Sequence, residues 1–223
     1  MVVKLENGKD KNYFSKRLLI WHKKYGRHNL PWQKRINPYR VWISEIMLQQ
    51  TQVSVVIPYY LRFMKSYPNL KTLSNTTLKK VMKHWEGLGY YRRAENIYKT
   101  SQIIKKNFNN IFPKSYEKLI ELPGIGKSTA GAIMSIAYNK KYPILDGNVK
   151  RVIIRFEGFS KDSIKEKQLW EISNNLLPNK KNGIFTQAIM DLGATICKKA
   201  KPLCSNCPVR NKCITKNTGQ ELI

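Results

Sequence analysis

Four cysteines lie within seventeen residues of one another, and the chain has no others. They are Cys197, Cys204, Cys207 and Cys213, in the spacing C-x6-C-x2-C-x5-C. Thiolates this close in sequence can converge on one inorganic centre, which would be a structural zinc ion or an iron–sulfur cluster. Disulfides are disfavoured because the N-terminal residues lack the apolar core of a secretion signal. The spacing alone does not separate iron from zinc.

A carboxylic acid inside an apolar segment is the second feature that suggests chemistry. Glu45 lies in Y-R-V-W-I-S-E-I-M-L-Q-Q, where its neighbours include Trp42, Ile46 and Met47. Apolar surroundings are expected to raise the pKa of a carboxyl group, so that Glu45 could hold a proton near neutral pH and donate it. The alternative is an exposed helical glutamate without a chemical role.

A glycine turn followed by an aspartate is the third such feature. The stretch L-P-G-I-G-K-S-T-A-G-A-I begins at Leu122, and Gly124 and Gly126 permit the positive φ of a tight turn. Backbone N–H groups of such a turn, and of the helix after it, form a site for a phosphate oxygen. Asp146 follows about twenty residues later and precedes G-N-V-K-R-V-I-I, a helical pattern that it would cap. The alternative is an ordinary helix connection with an ordinary capping aspartate.

Helices must position these residues, because alternating strand patterns are scarce. Up to the glycine turn, helices are predicted near residues 13–25, 38–50, 53–66, 76–85, 94–107 and 115–121, and another follows near 128–138. Beyond Asp146 they are predicted near residues 149–157, 165–176 and 185–196. The predicted fold class is all-α with short loops.

The charge of the chain indicates the kind of partner. Lysine and arginine number 41 against 14 acidic residues, for a net charge of +27. Such an excess favours a polyanion, most simply nucleic acid, although a compositionally biased genome would also enrich lysine. No run of eighteen apolar residues occurs, so no membrane span is predicted and the expected location is the cytoplasm.

In combination the motifs resemble the helix-hairpin-helix DNA glycosylases. Within that group, S-E-I-M-L-Q-Q-T-Q-V, P-I-L-D-G-N-V-K-R and F-T-Q-A-I-M-D-L-G-A are similar to the adenine glycosylase (MutY) branch. The resemblance extends from about Leu18 to Cys213. It implies a two-lobed fold: a six-helix lobe over residues 30–138 with the hairpin, and a second lobe of residues 1–29 plus 139–223. The loop at 197–213 would carry a [4Fe–4S] cluster, with a structural or redox-sensing role.

The resemblance implies an enzyme of base excision repair. Its substrate would be double-stranded DNA in which adenine is mispaired with 8-oxoguanine or guanine, and it would act as a monomer in a bacterial cytoplasm, associated with the nucleoid. Glu45 would protonate the extruded adenine, Asp146 would stabilise the sugar cation, and Asn148 would support the sugar or Asp146 by hydrogen bonds.

Further roles follow from the same resemblance. Trp32 and Gln187 match positions that line the adenine pocket, where stacking and amide hydrogen bonds would read the base. Gln50 and Tyr90 match residues that wedge into the duplex when the base leaves. Alternatively, Trp32 could be a core residue, Gln50 a surface amide and Tyr90 a core residue. Four basic residues are expected to contact phosphates or to stay solvated: Arg92, Arg93, Lys150 and Arg151.

The position after Lys127 separates two reaction types. Bifunctional relatives place a nucleophilic lysine where this chain has Ser128, and they open the strand through a Schiff base. Lys127 is one residue away, a rotation of roughly 100° on a helix. A monofunctional glycosylase with little lyase activity is therefore predicted.

The sequence departs from the family that it resembles in one respect, and two alternative functions remain. Ten residues follow Cys213, whereas that family continues into a second domain that helps to recognise 8-oxoguanine. Weaker discrimination between 8-oxoguanine and guanine is therefore expected. A related glycosylase could instead remove thymine from G·T mismatches or oxidised pyrimidines. A non-enzymatic DNA-binding or damage-sensing protein is the second alternative, and it would need neither Glu45 nor Asp146.

Overall fold

The computed structural model of the chain describes residues 8–160 and 163–219. Its regular structure is helical and no strand occurs within those ranges, which confirms the all-α prediction. None of the helices there is both long and apolar enough to cross a membrane. The α-helices are α1 (Gly8–Tyr25), α2 (Pro38–Leu48), α3 (Val53–Ser66), α4 (Leu70–Ser74), α5 (Leu78–Trp85), α6 (Arg92–Phe108), α7 (Tyr116–Ile120), α8 (Lys127–Ala132), α9 (Gly147–Glu157), α10 (Glu166–Leu176), α11 (Asn182–Asp191) and α12 (Ile214–Thr218).

The chain divides into two compact units. The central unit spans His28–Tyr138 and contains α2 to α8. The terminal unit joins the described residues of Met1–Arg27 to those of Asn139–Ile223, and it contains α1 and α9 to α12. Glu45 therefore belongs to the central unit, whereas Asp146 and the four cysteines belong to the terminal unit.

Helix α2 forms the core of the central unit. Its start is determined locally, because the Asn37 side chain accepts a hydrogen bond from the Arg40 N–H and Pro38 occupies the first turn. Trp42 and Met47 are completely buried. The helix packs against α3, α8 and the π-helical turn Ile133–Ala137 that continues α8. This burial fixes the rotation of α2 about its axis.

Helix α4 was not predicted from the sequence. It has five residues, and it is held by a capping box in which Asn69 accepts a hydrogen bond from the Thr72 N–H at 2.9 Å. It packs against α6, which also packs against α5. The central unit thus has one α-helix more than the six expected.

The glycine turn connects α7 to α8. Gly124 has a φ of 80°, and a Cβ atom at this position would lie 2.8 Å from the Cβ of Asn96 on α6. Thr100, also on α6, donates a hydrogen bond to the carbonyl of Pro123 at 2.9 Å. Ile125 is buried beneath the turn. Gly124 is therefore required both by its backbone conformation and by the close approach of α6.

The terminal unit is built around α1, α9 and α11. Phe14 of α1 packs edge-on against Phe156 of α9, with ring centroids 4.8 Å apart. Helix α1 also packs against α10 and α11, while α9 packs against α12 and the π-helical turn Leu192–Ile196 that continues α11. The unit thereby joins the N-terminal helix to the helices that follow residue 139.

A buried carboxylate, that of Asp191, ties the end of α1 to α11. Asp191 is 3% exposed, and its two carboxylate oxygens accept hydrogen bonds from the backbone N–H and the Nε–H of Arg27 at 2.8 and 2.7 Å. The Nε2 atom of His22 lies 3.3 Å from the same carboxylate. Burial alone would raise the pKa of Asp191, but the contacts with His22 and Arg27 outweigh it, so the pKa is lowered.

Replacing Asp191 with asparagine is expected to lower the free energy of unfolding by about 3–5 kcal/mol at pH 7, because it leaves the guanidinium of Arg27 without its anion. Urea unfolding followed by circular dichroism measures this. A carboxylate whose pKa is lowered in the folded state contributes its full stabilisation above its unfolded pKa of about 3.9. The difference in unfolding free energy between wild type and the variant should therefore shrink below about pH 4. The matched control is Glu171→Gln on the exposed face of α10, and equal losses in both variants would contradict the assignment.

Candidate functional site

Glu45 lies at the edge of the apolar core of the central unit. It is half-buried on α2, and the residues on either side of it, Ser44 and Ile46, are buried. Because α2 is held by packing along most of its surface, the backbone that carries this carboxyl group is rigid. A proton donor held this way on a helix is positioned with little conformational freedom.

Trp32 lies on a turn that packs against the same helix. The 3-10 turn Pro31–Gln33 contacts both α2 and α3. The half-buried indole of Trp32 meets the ring of Tyr60 edge-on, with centroids 5.4 Å apart. Trp32 and Glu45 thus belong to neighbouring elements of one unit.

Tyr60 is a residue of this region that the sequence reasoning did not single out. Its ring is 1% exposed, and burial raises the pKa of its hydroxyl to about 12, against a smaller opposing effect of Arg40. It therefore stays a neutral phenol, and its ring packs against that of Trp32. Its place in the apolar stripe of α3 was readable from the sequence, but its contact with Trp32 was not.

Gln50 and Tyr90 share an unusual backbone conformation. Both are exposed, and both have left-handed backbones, with φ of 56° and 50°. Gln50 follows the end of α2, and Tyr90 lies in the loop between α5 and α6. Arg93, expected to contact phosphate or solvent, is buried instead.

The start of α8 carries the two residues that distinguish the reaction types. Gly126 is the N-cap of the helix, the side chain of Lys127 is exposed, and Ser128 is half-buried. The two side chains therefore differ in surroundings as well as in helical position. Helix α8 packs against α2, which carries Glu45.

Asp146 caps α9 in the terminal unit. Its Oδ1 atom accepts hydrogen bonds from the backbone N–H groups of Asn148 at 2.7 Å and Val149 at 2.9 Å. Both bonds end on one oxygen, which leaves Oδ2 outside the cap. The capping that the sequence suggested is thus present, and it orients the carboxylate by the helix backbone.

Asn148 is part of a crowded contact between α9 and the turn that continues α11. A Cβ atom at Gly193 would lie 2.7 Å from the Cβ of Asn148. Arg151 donates to the Asn148 Oδ1 at 2.9 Å, to the Gly193 carbonyl at 2.7 Å and, through Nε, to the Cys197 carbonyl at 2.7 Å. From its half-buried position Arg151 therefore links α9 to the turn that continues α11 and to Cys197. Gln187, half-buried on α11, lies in the same unit.

The four cysteines line one cavity of the terminal unit, together with Arg155 and Arg210. All four are half-buried, and none forms a disulfide. Burial raises the pKa of the Cys207 thiol to about 12, and the other three cysteines add to the rise. Burial also raises the pKa of the Cys213 thiol. A bound cation would offset the charge of the thiolates that ligate it.

Arg155 holds the loop that carries these thiols. It is 4% exposed on α9, and it donates to the carbonyls of Lys198 at 2.7 Å and Lys199 at 3.0 Å. The Cys213 thiol lies 3.4 Å from the Arg155 carbonyl. Helix α9 thus carries Asp146 at its start and contacts the cysteine loop along its length.

The chemistry of these side chains suits a metal centre, because four sulfur atoms, which are soft donors, line one cavity. In the described ranges no three His, Cys, Asp or Glu side chains converge closely enough to hold a single metal ion. The structure thus places four thiols around one space.

Comparisons with known proteins agree on the kind of protein. Residues 43–178 match the family described as HhH-GPD superfamily base excision DNA repair protein. An adenine DNA glycosylase of Buchnera aphidicola subsp. Acyrthosiphon pisum is 51% identical over 209 residues, which cover 92% of this chain and 60% of the relative. The chain thus spans about 60% of the length of this curated relative.

Two solved structures share the architecture. A thermostable thymine-DNA glycosylase has a TM-score of 0.86 and 29% identity, and the match covers 94% of this chain and 98% of that one. Endonuclease III in a non-covalent DNA complex has a TM-score of 0.78 and 20% identity, with 95% and 97% covered. At that identity the second likeness is one of fold alone.

Proposed function

Because the chain belongs to the HhH-GPD superfamily of base excision DNA repair proteins, we propose that it is a glycosylase that removes adenine mispaired with 8-oxoguanine or guanine. The observation that carries the proposal is the half-buried carboxyl of Glu45 on the apolar helix α2, in a segment that resembles adenine glycosylases. The 51% identity to an adenine DNA glycosylase supports the choice of base.

The proposed reaction starts with extrusion of adenine from the stack. Glu45 donates its proton to N7 of the base, and the bond between the sugar and the base breaks with its electron pair going to adenine. The base leaves as a neutral molecule, and the sugar becomes an oxocarbenium ion. Water then adds to the sugar and returns a proton to the Glu45 carboxylate, so the enzyme ends in its starting form.

Asp146 would stabilise the sugar cation. Its Oδ1 is occupied by the cap of α9, so Oδ2 is the atom that faces the developing charge in this proposal. Asn148, which accepts a hydrogen bond from Arg151, would support the sugar or the carboxylate. An anion held by backbone N–H groups needs little reorganisation when the charge appears.

Other residues would bind the substrate. Trp32 and Gln187 are assigned to the adenine pocket, and Gln50 and Tyr90 to the space that the extruded base leaves in the duplex. The hairpin is assigned to the DNA backbone, with its contacts made by Gly124, Gly126, Lys127 and Ser128. The net charge of +27 favours such a partner at moderate salt.

A [4Fe–4S] cluster is assigned to Cys197, Cys204, Cys207 and Cys213. When bound, it supplies a structural or redox-sensing centre, and all four thiols serve as ligands. Arg151 and Arg155 hold the backbone of the loop around it. A zinc ion is the competing occupant.

The metal assignment predicts that protein purified without added metal contains iron and inorganic sulfide at about four each per chain, with zinc well below one. Elemental analysis and visible absorption spectra measure this. Cys207→Ser is expected to lower the iron content and the thermal unfolding midpoint, because it removes one of four ligands. Ser205→Ala, in the turn between two of the ligands, is the matched control. About one zinc per chain and no iron would contradict the cluster.

The test of the function uses four duplexes, carrying adenine opposite 8-oxoguanine, guanine or thymine, and thymine opposite guanine. Strand breaks at the mispaired adenine only after hot alkali are the expected result for a monofunctional enzyme. Borohydride should trap little protein on the DNA, since Ser128 replaces the nucleophilic lysine. Breaks without alkali, or efficient trapping, would contradict the monofunctional assignment.

The likeness to a thymine-DNA glycosylase favours one competing activity. That activity would produce breaks in the G·T duplex and none in the adenine duplexes. The same four substrates therefore separate the two functions in one experiment.

A further inference from the structure

Arg93 ends one helix of the central unit by binding its terminal carbonyls. It lies in the first turn of α6 and is 7% exposed. Its Nη1 donates to the carbonyls of Ile46, Met47 and Gln49 at 3.1, 2.7 and 2.6 Å. The last carbonyls of a helix lack intrahelical partners, and a cation there also complements the helix dipole. Arg93 therefore stabilises the backbone at the end of α2.

The other terminal nitrogen of Arg93 binds a second segment, the loop of residues 87–91. Its Nη2 donates to the carbonyl of Gly89 at 3.1 Å and lies 3.5 Å from that of Leu88. The guanidinium also lies over the rings of Trp85 and Tyr90, at 5.4 and 5.2 Å from their centroids. One buried guanidinium thus joins the end of α2 to this loop.

The two segments that Arg93 joins are those that carry Gln50 and Tyr90. Gln50 directly follows the Gln49 carbonyl, and Tyr90 directly follows the Gly89 carbonyl, and Arg93 donates to both. Left-handed backbones are unfavourable for both residues and persist only where the surroundings impose them. The bonds from Arg93 are a direct source of that constraint.

We propose that Arg93 is a positioning residue that sets the spacing of the Gln50 and Tyr90 side chains, so that both enter the duplex together as the base leaves. This inference rests on the proposed function. Filling the vacated space offsets the free-energy cost of unstacking the base. Two side chains whose spacing varies fill that space less well and offset less of this cost. Lysine cannot substitute, because a compact ammonium lacks the planar fork that reaches two segments.

A mutant cycle tests whether Arg93 acts through Gln50 and Tyr90, the two wedge residues. The proteins are wild type, Arg93→Lys, the double variant Gln50→Ala with Tyr90→Ala, and the triple variant. In single-turnover excision from the adenine–8-oxoguanine duplex, Arg93→Lys is expected to be slower than wild type by about thirtyfold. In the double-variant background, the same change should cost less than about threefold. Equal losses in both backgrounds would overturn the proposal.

The matched control is Arg62→Lys. Arg62 is an exposed arginine of the same unit, which donates to the His84 carbonyl at 3.4 Å and lies over the Tyr59 ring at 4.6 Å. It makes the same kinds of contact away from the wedge residues, so its excision rate should stay within about twofold of wild type. A loss equal to that of Arg93→Lys would overturn the specific role of Arg93.

Two further measurements separate positioning from folding. Gly89 has a φ of 78°, and nothing lies within 4 Å of a Cβ added there, so Gly89→Ala strains the loop without a clash. It should weaken the fluorescence rise of 2-aminopurine placed beside the adenine, as Arg93→Lys should. Unchanged signals in both variants would count against the proposal.

The second measurement does not depend on excision activity. Chymotrypsin should cut DNA-free Arg93→Lys protein after Tyr90 or Tyr91 at least about tenfold faster than wild type, because the loop loses its anchor. Unchanged cleavage overturns the positioning role. A wild-type protein that excises no base, yet shows this contrast, would instead sink the proposed function and leave the loop contact established.

Discussion

Replacing Glu45 with glutamine is expected to slow single-turnover excision of adenine by about 10³-fold, within the range of general acid–base catalysis. The amide has nearly the shape of the acid but has no acidic proton to transfer to the departing base. Helix α2 should be unaffected, because Glu45 is only half-buried and its neighbours form the core. Rapid-quench kinetics with enzyme in excess measure the chemical step.

The control for this variant is Glu117→Gln, an exposed acid on α7 of the same unit. Its excision rate should remain close to that of wild type, and both variants should bind the mismatched duplex within about threefold of wild type. Near-normal excision by Glu45→Gln would remove this residue from the mechanism.

Replacing Asp146 with asparagine is expected to slow excision by about 10²–10³-fold, as in other enzymes that lose one charge-stabilising group. Asparagine caps a helix as well as aspartate does, so its amide oxygen can keep the bonds from the Asn148 and Val149 N–H groups. The substitution therefore removes the charge of the carboxylate and leaves the start of α9 in place.

Asp146→Ala separates the two roles of the side chain. It loses the cap as well as the charge, so its free energy of unfolding should fall by about 1 kcal/mol relative to Asp146→Asn, while excision is equally slow. Thermal unfolding and single-turnover rates measure the two effects. Rapid excision by Asp146→Asn would show that the carboxylate serves only as a helix cap.

The sequence predicted most helices because their signals are local. Asn37 and Pro38 mark the start of α2, and Asp146 marks the start of α9. The glycine turn was equally legible, since Gly124 needs a positive φ. Helices α4 and α12, of five residues each, were not predicted.

The backbone contacts of two arginines were not predicted, for a different reason. Arg93 and Arg151 lie in basic runs, and such runs suggest exposure to phosphate. The structure instead uses each guanidinium to bind backbone carbonyls from other segments. Those partners are distant in sequence, with Met47 46 residues from Arg93 and Gly193 42 residues from Arg151. Composition and periodicity carry no signal for contacts of that kind.

The most direct test of the account is the identity of the base that the protein releases. Wild-type protein would be incubated in excess with the adenine–8-oxoguanine and thymine–guanine duplexes, and the small molecules released would be identified by mass spectrometry. Free adenine is expected from the first duplex, leaving an unbroken strand with an abasic site, and no thymine is expected from the second. Release of thymine, or of no base by folded protein, would contradict the proposed function.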